Sequence, residues 1–285
     1  MKDIESYRDK VFTDLFASKT AKAAWPIWEP ALLSKSANFS DPKKVLSIGS
    51  DLATIFKSTG TAGRGQGTLS AAGHAWETLV CWYLNVVLSG SRAIAIKQKK
   101  ALVPECVSDS ATISYGVDQT NTESDLIVIV FPDGFSFPGG GIADLSNAME
   151  NQLSKFELGI IQCKTNWNDN AQIPMLWDMV YRAKGFQGHN VTIGRNHHTI
   201  GDYRRFTYAF VTVPSQSGGY SPQDMSVKRV RNLSGGNYWG HPTQNGVAFS
   251  LSEIFARNFG SAFNQPIPQQ LAAAISTKTG WFSRY

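Results

Sequence analysis

Five side chains stand where packing alone explains them poorly, and their types could do chemistry together. Asp125 opens the apolar run SDLIVIVF, and the two-residue period of a strand puts it on the face of Ile127 and Ile129. In GIIQCKT the same period sets Gln162 and Lys164 on one face, Ile161 and Cys163 on the other. Adjacent strands ending in this way would bring a carboxylate, an amide and an ammonium to one sheet edge, groups that proton transfer and charge stabilisation use. Glu77 lies among Gly73, Trp76, Val80 and Leu84, on the apolar stripe of a helix. A carboxylate buried there is costly unless it is paired or bound to a cation. Asp178 follows Lys164 with thirteen residues between them, on a further predicted helix. Each has a plainer alternative. Asp125, Gln162 and Lys164 could be strand-end polar groups reaching water, Glu77 an arginine's partner, and Asp178 a charge favouring a helix N-terminus.

The elements that would position these groups follow from hydrophobic period and capping. Ile4, Tyr7, Val11, Phe12 and Leu15 recur at helical spacing, and Asp41 before Pro42 starts a helix that Gly60 can stop. A long helix is expected from Ser70 to about Leu88, carrying Glu77. Strands are expected at Ala93–Ile96, Ala111–Gly116, Asp125–Phe131, Leu158–Cys163 and Phe206–Val213, with short helices at Ala143–Leu153 and from Pro174 to near Gly185. The C-terminal part is loop-rich, with a short strand at Val247–Leu251 and helices near Ser252–Asn258 and Gln269–Ser276. The order predicts an α/β protein: a central mixed β-sheet flanked by helices. Residues 1–69 form an N-terminal helical region, 70–215 the core and 216–285 a basic C-terminal region, in one continuous domain.

Composition limits the partners. The chain has 285 residues, 42% of them hydrophobic, with enough aromatic side chains to fill a large core, which excludes a disordered chain. No apolar run approaches the roughly 18 residues that cross a bilayer, and Met1–Lys10 mixes charges of both signs. No membrane association and a cytoplasmic location are therefore expected. Three cysteines without C-x-x-C spacing suggest neither a disulfide framework nor a zinc site. The net charge of +5 is uneven: from Val180 onward eleven Lys and Arg stand against three acids. That asymmetry suits a polyanion bound on one side, or an ordinary solvated surface.

Taken together, the strand with Ser-Asp, the following strand with Cys163–Lys164 and the upstream helical G-x-x-x-E resemble the PD-(D/E)xK nuclease superfamily, and within it type II restriction endonucleases. In the branch most similar to KTNWNDNAQIPMLWD, the second carboxylate has moved to the next helix; Gln162 occupies the vacated position and Asp178 the relocated one. The D-x-A-Q stretch, Asp169 to Gln172, is similar to that branch's turn into the helix. The resemblance spans about Ser70 to Val213, with Ser124 in place of proline and Asp178 in place of the usual glutamate. It implies a restriction-endonuclease-like core with Glu77, Asp125, Gln162, Lys164 and Asp178 as the catalytic set. Mg²⁺ would be held by Asp125, Asp178, the backbone carbonyl of Cys163 and Glu77, a set of oxygens that suits a hard cation. Lys164 would orient or deprotonate the attacking water, Glu77 would bind a second ion or hold Lys164 and water, and the products would be 5′-phosphate and 3′-hydroxyl ends.

Sequence recognition would then fall to VKRVRNLSGGNYWG, where Lys228, Arg229, Arg231, Asn232 and Asn237 combine side chains suited to guanine, adenine and phosphate. The same segment could be a solvated loop anchored by Tyr238 and Trp239. The expected partner is double-stranded DNA and the expected assembly a homodimer, or one subunit of a heterodimer. Arg231→Ala is expected to relax the sequence preference of cleavage at one position, read by mapping fragment ends; a uniform loss over all sequences would mark a phosphate contact instead.

Overall fold

The computed structural model describes residues 1–59, 66–120, 124–167, 191–214, 237–238 and 250–285. The expected helix with Pro174 and Asp178, and Lys228, Arg229, Arg231 and Asn232, lie outside these residues.

The centre is a mixed sheet in the order β1 (Ala93–Lys97), β4 (Leu126–Val130), β5 (Glu157–Trp167) and β7 (Arg205–Pro214). The first three form an antiparallel meander, and β7 runs parallel to β5. A two-residue strand, β8 (Asn237–Tyr238), continues the sheet beside β7, and this is where the backbone of Asn237 lies. The α/β expectation of a mixed sheet packed against helices thus holds. In β4, LIVIV is buried along its whole length, and a continuous apolar run is what a strand covered on both faces requires. A smaller sheet pairs β2 (Ile113–Tyr115) with β3 (Asp118–Thr120) and β6 (Val191–Ile193). Where one strand to Gly116 was expected, the chain turns back at Gly116, whose φ of +63° suits glycine.

Helices α1 (Ile4–Ala17), α2 (Lys19–Lys35), α3 (Pro42–Ser47) and α4 (Leu52–Lys57) precede the long α5 (Gln66–Val87). In α1 the capping box of Asp3 and Ser6 satisfies two end donors. Pro26 and Pro30 lie inside α2 and hide it in the sequence, because proline lacks the N–H that a helix interior uses. The single helix expected from Asp41 to Gly60 is broken at Ile48–Ser50. The cause is tertiary: Tyr83 donates to the Leu46 carbonyl at 2.6 Å. A Cβ on Gly49 would lie 2.6 Å from the Tyr83 hydroxyl and from the Ser252 amide nitrogen. Helix α5 starts before Ser70, so Ser70 does not cap it. Short helices α6 (Glu105–Ser110) and α7 (Ile142–Glu150) pack on each other, while α8 (Ile254–Phe259) and α9 (Ile267–Ser276) follow the basic segment. Leu251 opens a 3₁₀ turn rather than ending a strand; the rest of the expected Val247–Leu251 strand, apart from Ser250, lies outside the described residues. Among the described residues no helix is long and apolar enough to cross a membrane.

The outer edge of β1 is where helix and sheet are locked. Asn85 of α5 donates from its amide to the Ala95 carbonyl at 2.7 Å and accepts from the Ala95 N–H at 3.2 Å. Fully buried Arg8 donates to the Ala93 carbonyl at 3.0 Å and to Asn85 at 3.2 Å, and its charge is met by Glu5 at 3.0 Å. An open strand edge would leave these backbone groups unpaired. Asn85→Leu is expected to lose about 2–4 kcal/mol in urea unfolding, since several buried groups lose partners at about 1–3 kcal/mol each. An unchanged stability would show that the edge is held by packing alone.

Candidate active site

Residues 77, 81 and 85 follow one another at the four-residue step of a helix, so they form one stripe along α5. That stripe runs along β1: Asn85 and Cys81 both meet Ala95, the latter at 3.6 Å, and Glu77 meets Lys97. The Glu77 carboxylate lies 3.0 Å from the Lys97 ammonium and 3.3 Å from His74 Nδ1, and its side chain retains only 16% exposure. Lys97 also donates to the Thr78 hydroxyl at 3.3 Å and to the His74 carbonyl at 3.4 Å. Glu77 therefore has an ammonium for a partner, where sequence reading offered a cation or an arginine. Lys97 carried a signal in the sequence. It ends AIAIK as Lys164 ends its own apolar run.

Asp125 sits immediately before β4, opposite the second half of β5. Leu126 pairs with Ile161, so one more step along the antiparallel ladder sets Asp125 against Gln162. The Cys163 N–H donates to Asp125 Oδ2 at 2.7 Å, which fixes the carboxylate against the β5 backbone. On the other side the Gln98 N–H donates to the Asp125 carbonyl at 3.3 Å, extending the β1–β4 ladder past the pair Lys97 and Leu126. Gln98, Asp125 and Gln162 thus form a row across three strands, with side chains on one face. Gln162 is buried and accepts a 2.6 Å hydrogen bond from Tyr208. Lys164 follows on the same face as Gln162, half-buried, and its carbonyl accepts from Thr212 at 2.9 Å. The structure therefore brings Asp125, Gln162 and Lys164 to neighbouring positions at one end of the sheet.

Cys163 links this row to Glu77. Its side chain takes the opposite face, towards α5. Burial pushes its thiol well up, the nearby charges of Asp125 and Glu77 push the same way, and Lys97 opposes them. Both carboxylates thus act on one buried sulfur, from the two sides of β5's end. Among the described residues no three His, Cys, Asp or Glu side chains come together as a metal cluster. The donors that are present still suit Mg²⁺, which keeps several waters and often takes one or two carboxylates plus substrate phosphate. Asp125 offers one such carboxylate; Asp178 lies outside the described residues.

No family model and no curated protein matches the chain.

Lys97→Met is expected to cost about 1–3 kcal/mol, because it leaves the Glu77 carboxylate half-buried without its ammonium. Adding Glu77→Gln should recover part of that loss. A coupling energy near zero in the double-mutant cycle, measured by denaturant unfolding, would show that the pair does not hold α5 to β1.

Proposed function

We propose that this chain is a Mg²⁺-dependent, site-specific double-strand DNA endonuclease of the PD-(D/E)xK type, a type II restriction enzyme of a restriction-modification system. The observation that carries this reading is the hydrogen bond from the Cys163 N–H to Asp125, which ties the acid of one strand to the residue beside Lys164 on the next. The two charged groups of the resemblance are thereby held on neighbouring strands and on one face. The α-helix bearing Glu77 packs against the same part of the sheet, and the mixed sheet with parallel β5 and β7 suits a restriction-endonuclease-like core.

Mg²⁺, when bound, lowers the pKa of water and neutralises charge on the phosphate. The chain's own residues do the rest. Asp125 presents a carboxylate oriented by the Cys163 amide, so little reorganisation is needed when the ion arrives. The Cys163 carbonyl and Asp178 complete the ligand set in this reading. Lys164 places a positive charge on the same face, where it orients the attacking water and stabilises the negative charge that builds on phosphorus oxygens in an in-line displacement. Glu77 is neutralised by Lys97, so in this reading its part is to hold α5 against the end of the sheet rather than to act as a lone anion. The basic segment Lys228 to Asn237 would read the DNA, and a homodimer, or a heterodimer with a second subunit, would cut both strands.

A second reading, DNA binding without cleavage, draws on Gln162. Its amide stands where an acid is usual and is engaged with Tyr208, so the site depends on Asp178 for its second carboxylate. A nuclease of repair or of modified DNA is a variant of the first reading. Incubation of the protein with phage DNA and Mg²⁺ is expected to give discrete fragments with 5′-phosphate ends. Lys164→Ala and Asp125→Asn should each slow cleavage by roughly 10²–10⁴-fold while leaving a gel shift intact. Uncut DNA that is nevertheless shifted by the wild-type protein would select the second reading. Fragments that persist undiminished in Lys164→Ala protein would place the chemistry elsewhere.

A further inference from the structure

Beyond Gln98, whose N–H bonds the Asp125 carbonyl, the chain leaves β1 and lines a cavity of about 460 Å³. Its described walls carry three basic side chains, Lys99, Lys100 and Arg195, and one acid, Glu105. Apolar surface from Val103 and Ala143 lies between them. The cavity belongs to the β1 side of the candidate site and is separate from the carboxylate of Asp125.

Donors dominate its polar lining. Lys100 has no ion-pair partner among the described residues. Lys99 pairs with Asp14, and Arg195 lies 2.6 Å from Asp109, yet neither cation is used up. An ammonium carries three N–H groups and a guanidinium five. Asp14 engages Lys99 once, while Arg195 gives Nε to Asp109 and Nη1 to Gln119. Glu105 is the one side chain among the described lining residues that can only accept. Such a wall favours an anion over a cation. It also limits the charge of that anion. Lys100 can neutralise one negative charge, and a second would stand uncompensated near Glu105. A phosphodiester, with a single charge and a sugar on either side to meet the apolar wall, fits this balance better than a doubly charged phosphate monoester.

We propose that the cavity seats a backbone phosphodiester of DNA, a neighbour in the strand of the one engaged at Asp125 and Lys164. The inference rests on the nuclease reading for the presence of DNA at that row. Gln98 and Asp125 stand opposite each other on paired strands, about 5 Å apart between Cα atoms. A nucleic-acid strand carries a phosphate at every nucleotide, so one that crosses the row brings a further phosphate towards Lys99 and Lys100. A contact of this kind positions the strand without reading its sequence.

Fluorescence anisotropy of a short duplex in EDTA, where no strand is cut, tests this across a salt titration. Lys100→Ala is expected to weaken binding by roughly five- to tenfold on every sequence and to lower the salt slope by about one. Ala143→Phe, which fills the cavity at constant charge, should weaken binding as much, and Glu105→Gln should tighten it. Lys100 and Ala143 are both exposed, so neither substitution threatens the fold. Wild-type affinity and slope in both Lys100→Ala and Ala143→Phe would overturn the cavity's role, and discrete cleavage by the wild-type protein would leave the nuclease reading standing. Displacement of the duplex by millimolar inorganic phosphate from wild-type protein, but not from Lys100→Ala, would overturn the diester in favour of free phosphate. No binding of the duplex by wild-type protein, in EDTA or in Ca²⁺, would overturn both readings.

Discussion

The amide of Asn85 docked on the backbone of Ala95 fixes the rest of the site. Strand β1 is the edge of the central sheet, and its outward N–H and C=O groups need partners in a place with no room for water. A side-chain amide carries one donor and one acceptor at the spacing of a neighbouring strand, so it closes the edge as a short piece of strand would. Because the bond is made at one residue of the helix and one of the strand, it sets how far α5 can slide along β1. Two helical turns earlier the same stripe presents Glu77, and two residues later the strand presents Lys97. Their pairing is a consequence of that register.

The sheet ladder then places charges on two faces. Alternation sends Lys97 and Cys163 towards α5, while Gln98, Asp125, Gln162 and Lys164 take the other face. The end of β5 lies between the two groups, and the buried thiol of Cys163 feels carboxylates from both sides. One face is electrically closed, with Glu77 neutralised by Lys97. The other carries the carboxylate of Asp125, the amides of Gln98 and Gln162 and the ammonium of Lys164 at neighbouring register positions. That imbalance, more than any single residue, is what makes this end of the sheet a candidate for binding an ion and a phosphate.

Strand periods in the sequence were enough to locate Asp125, Gln162 and Lys164 and to put the latter two on one face. Helical spacing placed Glu77 on an inward stripe, yet the stripe that matters is the one shared with Cys81 and Asn85. It is a polar line inside an apolar helix, invisible to a hydrophobic pattern. The broken helix at Gly49 was hidden for a similar reason. Nothing in residues 41 to 60 announces that Tyr83, far along the chain, needs the space. Prolines mask helix α2, and Lys97 repeats the strand-end signature of Lys164 while nothing local to it announces Glu77 as its partner.

The sequence by itself determined the long helix α5, the central strands β1, β4, β5 and β7 and the face each of their residues takes, because alternation and helical period are properties of the local backbone. It also determined the types of chemical group available: carboxylates, amides and ammonium ions on strand ends. Tertiary structure alone decided which of them meet. Gln162 went to Tyr208, Glu77 to Lys97, and Gln98 to the place beside Asp125, since cross-strand register and helix docking are set by contacts between residues tens of positions apart. A residue's type states what it could bond; the register of distant strands states what lies within reach.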